Sequence, residues 1–144
     1  MTKKFQKNFK KNESAAASLE IGIKDACEGL IYVSETDAPV TIFTTPAGLK
    51  SRDEILQYAG ANADTPVREV PFAAWFGQVT AMKEWFGEAE KSRAKKFLEL
   101  QKLLEEGLTS LRVYRVGTIR IDIYIVGESA DGRIIGVKTL AVET

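Results

Sequence analysis

The sequence predicts an α+β fold, with helices packed on a largely antiparallel sheet, on three observations. Ile119, Ile121, Ile123 and Ile125 recur with a period of two inside the run 118–126, which puts four branched side chains on one face of a strand. Asp131-Gly132 separates that run from a second apolar run, 133–142, and Asp-Gly favours a hairpin because glycine accepts positive φ. Residues 88–106 form the longest helical pattern. Ala94, Phe97, Leu98, Leu100, Gln101, Leu104 and Leu108 mix spacings of three and four, as one core-facing side of a helix does. The predicted order is helix, strand, helix, strand, helices and then three strands, which is the α+β arrangement.

Taken from the start, residues 1–18 are rich in Lys, Asn and Ser, with Phe5 and Phe9 as the large apolar side chains. Such a segment buries too little surface to order itself, so a disordered basic tail over 1–18 is expected ahead of a domain over 19–144. The tail lacks the apolar stretch of a signal peptide. Ser18 suits the cap of a helix running to about Glu28, with Leu19, Ile23, Ala26, Cys27 and Leu30 as its apolar stripe and Gly29 as its stop. Leu30-Ile31-Tyr32-Val33 is apolar, and Ser34-Glu35-Thr36-Asp37-Ala38-Pro39 reads as a polar turn carrying two acids. Residues 40–44 read as a strand ended by Pro46-Ala47-Gly48.

Ser51 and Glu54 form a capping box for a short helix to Tyr58 that stops at Gly60. Residues 67–70 suit a short strand. Pro71 suits the first turn of a helix holding Phe72, Trp75 and Phe76. The stretch 78–87 reads as irregular and exposes Lys83-Glu84-Trp85-Phe86. Gly107 ends the long helix. The final strands span 112–117, 118–126 and 133–142, with Arg120, Asp122, Tyr124 and Val126 in the row opposite the isoleucines.

Composition narrows the chemistry. The 144 residues suit one domain with a sizeable core, and no apolar run approaches the roughly 18 residues of a membrane span. The chain is neutral overall, but five lysines against one glutamate leave +4 in residues 1–18, so the rest carries −4. An acidic body argues against direct nucleic-acid binding and favours a basic partner. The single cysteine, Cys27, sits in an apolar pattern and reads as core filler. The absence of histidine removes Ser-His and Cys-His nucleophile pairs, His bases and His metal ligands together.

No glycine spacing matches a phosphate loop. Asp122 with Glu128 could be taken for a catalytic carboxylate pair, but cross-strand pairing of Asp122 with Arg115 or Lys138 is the simpler account. Ser34 has no base to activate it. No carboxylate pattern resembles a metal site, so neither metal nor cofactor is expected. What remains are contact sites: the acidic turn at Ser34, Glu35 and Thr36; the loop aromatics Trp85 and Phe86 beside Glu84; and the α-carboxylate of Thr144 next to Glu143.

Several stretches together resemble one family. They are Gly29-Leu30-Ile31-Tyr32-Val33-Ser34-Glu35-Thr36, Val113-Tyr114-Arg115-Val116-Gly117, Ile121-Asp122-Ile123-Tyr124-Ile125-Val126-Gly127-Glu128 and the ending Val142-Glu143-Thr144. In register over about 19–144, these are similar to the cyanobacterial nuclease A inhibitor family. The resemblance implies a three-layer α-β-α sandwich like that of pathogenesis-related class 1 proteins. It implies a non-enzymatic, cytoplasmic, stoichiometric inhibitor whose acidic groups block the cleft of a sugar-nonspecific DNA/RNA nuclease of the ββα-metal type. Residue by residue, it implies that Glu35 in its Ser34-to-Thr36 turn meets basic groups of the nuclease. Glu84 and Trp85 would anchor the rim, and the Thr144 carboxylate would approach the partner's Mg²⁺. The alternative is a binding module of the same fold for another protein or a small ligand.

Overall fold

The computed structural model describes residues 2–144, with side chains described from 11 onward. The elements run α1 (Thr2–Cys27), β1 (Ile31–Val33), β2 (Asp37–Pro39), β3 (Thr41–Ala47), α2 (Arg52–Tyr58), β4 (Val67–Val70), α3 (Phe72–Thr80), α4 (Glu88–Gly107), β5 (Thr109–Val116), β6 (Arg120–Glu128) and β7 (Arg133–Val142). The five longer-reaching strands form one sheet in the order β3-β7-β6-β5-β4, every pair antiparallel, and β1 with β2 forms a separate two-stranded sheet. The class is α+β, as the sequence predicts. Among the described residues no helix is long and apolar enough to cross a membrane.

Both faces of the large sheet are covered. Ile121, Ile123 and Ile125 of β6 pack with Val113, Val137 and Ala141 against Ile23 of α1, Trp75 and Phe76 of α3, and Phe97, Leu100 and Leu104 of α4. On the opposite face Tyr124 and Val126 join Tyr114, Val116, Phe43 and Ile134 under Ile55 and Leu56 of α2. The row opposite the isoleucines therefore splits. Arg120 and Asp122 face solvent, while Tyr124 and Val126 are buried because α2 closes over them. Asp122 pairs with neither Arg115 nor Lys138; its register partners are Val116 and Leu140. β6 and β7 also approach closely at Gly136, where a Cβ would stand 1.9 Å from the Ile125 carbonyl oxygen.

Local chemistry explains both the expectations met and those overturned. Ser51 caps α2 as predicted: its hydroxyl accepts from the Glu54 amide at 3.2 Å, and its amide donates to the Glu54 carboxylate at 3.2 Å. The Asp131-Gly132 turn also forms, with Gly132 at φ +84°. Ser18, by contrast, caps nothing. It lies inside α1, where the alanine-rich stretch 15–17 favours helix and Ala16 is buried against the core. The expected tail over 1–18 thus overlaps a helix, and its side chains at 1–10 lie outside the described residues. Gly107 is the last residue of α4, and a Cβ there would stand 2.7 Å from the end of the Leu19 side chain.

Four strand and helix limits also move. β3 runs on through Pro46, tolerated because β3 is an edge strand. β5 begins three residues early, at Thr109, across an irregularity in its pairing with β6. α3 continues to Thr80, so Gln78 and Val79 are helical and only 81–87 is irregular. Ile119 falls outside β6 and is 59% exposed, because the tight turn at Gly117, φ +118°, delays the ladder until Arg120. Leu98 faces solvent on α4 rather than the core.

Candidate functional site

The polar stretch after β1 is the tip of a hairpin. Val33 pairs with Asp37, leaving Ser34, Glu35 and Thr36 as the turn, so Asp37-Ala38-Pro39 is a strand rather than part of a loop. The turn is tied to itself through Ser34. The Ser34 amide donates to the Thr36 carbonyl at 2.9 Å, and the Ser34 hydroxyl donates to the same oxygen at 3.2 Å. Thr36 serves the turn through this carbonyl and is only partly exposed.

The same turn grips the end of β7 and the residues beyond it. The Ser34 hydroxyl accepts from the Val142 amide at 3.0 Å, and the Glu35 amide donates to the Val142 carbonyl at 3.3 Å. The Glu35 carboxylate accepts from both the amide and the hydroxyl of Thr144, and these bonds hold its carboxyl below the ordinary carboxylate range. Between them, Glu143 faces the other way. Its amide donates to the Ile119 carbonyl at 2.9 Å, and its side chain accepts from Arg115 Nη2 at 2.6 Å. Successive amides of 142–144 therefore alternate between the hairpin and the large sheet, as in a strand, and we call this segment the strap. Among the described residues the Thr144 carboxylate enters no ion pair.

The second expected contact lies beside the first. Trp85 stands at a turn closed by the Phe86 amide donating to the Lys83 carbonyl at 3.1 Å, and its ring meets Phe86 edge-on at 4.8 Å. It is 72% exposed, the largest apolar side chain left in solvent among the described residues. Glu84 next to it is also exposed. A cleft joins this loop to the hairpin: Trp85, Phe86 and Lys83 line one side, Tyr32 and Val33 another, and Phe97 and Arg93 of α4 complete it. Val33 directly precedes the Ser34–Thr36 turn, so the cleft links the Trp85 loop to the base of the hairpin that carries the acidic tip.

The structure gives three residues roles at this surface that the sequence did not assign them. Arg115 and Glu143 anchor the strap, and Tyr32 floors the cleft, stacked on Trp75 at 5.6 Å. Burial raises the Tyr32 hydroxyl above its usual pKa, outweighing the opposite pull of nearby Arg115. The only sequence signal for Arg115 was a cation on a strand otherwise facing the core. Among the described residues no group of three or more Cys, Asp or Glu side chains is arranged to hold a metal.

A second, larger cavity, about 650 Å³, lies beside α2 between Arg52, Leu56, Ala61, Asn62 and Val67, and shares no residue with the Trp85 cleft. No curated protein sequence matches this chain at a significant level. The model of one family, described as nuclease A inhibitor-like protein, matches residues 17–144. That match takes in the hairpin turn, the Trp85 loop and the strap together, and the chain belongs to the nuclease A inhibitor-like family.

Proposed function

We propose that this chain is a stoichiometric, non-enzymatic inhibitor of a sugar-nonspecific DNA/RNA endonuclease of the ββα-metal type. Such a nuclease holds a polyanion with basic residues and a hydrated Mg²⁺, so a protein that blocks it needs negative oxygens where phosphates would sit. Glu35 would meet basic groups of the cleft, with Ser34 and Thr36 shaping its turn. The Thr144 carboxylate would approach the partner's metal, and Trp85 with Glu84 would seal the rim. The observation that carries this reading is the hydrogen bonding of Glu35 to Thr144, which brings two acidic groups together at the tip of the hairpin whose Val33 lines the Trp85 cleft.

Inhibition would act in the cytoplasm, on the domain 19–144, with the basic segment 1–18 as an extension. The three-layer likeness to pathogenesis-related class 1 proteins belongs to the same proposal, supported by side-chain clusters on both faces of β6. The test is titration of a ββα-metal nuclease digesting plasmid DNA. Digestion should stop near a one-to-one ratio, and residues appended after Thr144 should weaken the block. Undiminished digestion by nucleases of this type at excess protein would overturn the reading. The second reading, a module for a small ligand, rests on the cavity beside α2. It would show as thermal stabilisation by a metabolite that survives the same extension.

A further inference from the structure

We propose that Arg115 is a positioning residue that holds the strap, and through it the acidic turn, in the geometry a partner meets. The inference deepens the inhibitor reading and rests on it for its functional consequence. Arg115 belongs to β5 and sits opposite Ile123 of β6, two strands away from β7. From there its guanidinium reaches across β6 to the Glu143 carboxylate at 2.6 Å, past the last ladder pair, Arg120 with Val142. Its side chain is 16% exposed and that of Glu143 is 49% exposed, so the charge-assisted bond is sheltered at the arginine and open to solvent at the carboxylate. Among the described residues it is the side chain of β5 that ties Glu143 to the far half of the sheet.

Geometry explains why this matters at Glu35. The strap continues β7 beyond its ladder, where short segments normally fray. On the hairpin side it is held by Ser34 and Glu35. On the sheet side Val142 keeps its ladder pair with Arg120, and Glu143 beyond it is held by the Ile119 carbonyl and by Arg115. Ile119 lies in an exposed turn, which leaves Arg115 as the rigid anchor. Removing it frees Glu143 to swing, and the bonds from Thr144 to Glu35 loosen with it. Arg115 touches no partner in this account; it acts through Glu143.

The test is residue-resolved amide hydrogen exchange on the full chain, for the parent protein, Arg115→Ala, Arg115→Lys and Glu143→Gln. Losing a charge-assisted bond predicts roughly tenfold faster exchange at Thr144 and Glu35 in Arg115→Ala, with Ile123, Ile125 and Val137 unchanged. Glu143→Gln should match that change, and Arg115→Lys should recover part of the protection. Unchanged exchange at Thr144 and Glu35 overturns the proposal, as does equal acceleration throughout β6 and β7, which would mark Arg115 as an ordinary stabilising residue. Dissociation from the nuclease should quicken in the same variants. A loosened strap with inhibition intact would support the positioning role and count instead against the inhibitor reading of this surface.

Discussion

Glu35 and Thr144, 109 residues apart in the chain, are joined by two hydrogen bonds, one from the Thr144 amide and one from its hydroxyl, both accepted by the Glu35 carboxylate. Both bonds need the ionised form. The depressed pKa of Glu35 means that the contact is fully present above its ordinary value of 4.5 and is lost as pH falls through the lowered value in the folded protein. An NMR titration should therefore hold the Thr144 amide shift constant from pH 8 to about pH 5 and move it only in more acidic solution. Glu35→Gln should place that shift at its acid limit at every pH.

Trp85 separates binding from stability. With its ring largely in water, Trp85→Ala should change unfolding free energy by no more than about 0.5 kcal/mol in a urea titration. If the ring anchors the nuclease, the same variant should lose about 2 kcal/mol of affinity, a roughly thirtyfold rise in Kd measured by inhibition of digestion.

Gly136 is required for a different reason. Alanine there would drive its Cβ into the Ile125 carbonyl oxygen, backbone against backbone, with no flexible side chain to yield. Gly136→Ala should cost about 3 kcal/mol or more, because it breaks the pairing of β6 with β7 at the centre of the sheet. Thermal denaturation followed by circular dichroism would show it as a large fall in Tm or failure to fold.

Cys27 should be chemically silent in the folded protein. Burial pushes its thiol up to about 11, so at neutral pH it carries almost no thiolate. Labelling by a thiol-reactive chromophore should be slow in buffer and should rise in step with unfolding across a urea series.

How much of this was legible beforehand follows from the range of each interaction. The Ser51–Glu54 box, the Asp131-Gly132 turn and the alternating isoleucines depend on neighbours a few residues away, and all appear close to where the pattern puts them. Ile119 fits the same alternation yet lies in solvent, because the turn at Gly117, not hydrophobic period, decides where the ladder begins. Tyr124 and Val126 were placed only in the row opposite the isoleucines, and nothing in β6 announces that α2 lies over them. At the site, Glu35, Trp85 and Thr144 were marked as contact groups, but their adjacency came from the hairpin docking on the end of β7. Arg115 was given Asp122 as a cross-strand neighbour, but the register puts Asp122 on the opposite sheet face, and the partner of Arg115 is Glu143, 28 residues away beyond the last paired residues. Such contacts are set by strand order, which local pattern does not carry.

The order β3-β7-β6-β5-β4 also has a consequence for synthesis. β3 leaves the ribosome early and finds no ladder neighbour until residues 133–142 follow, since β7 is its sole partner in the large sheet. The tip bearing Glu35 is likewise translated long before residues 142–144, which clasp it. A nascent chain thus carries an ungathered acidic tip, and the surface proposed to mimic a phosphate backbone comes into being in a single late step.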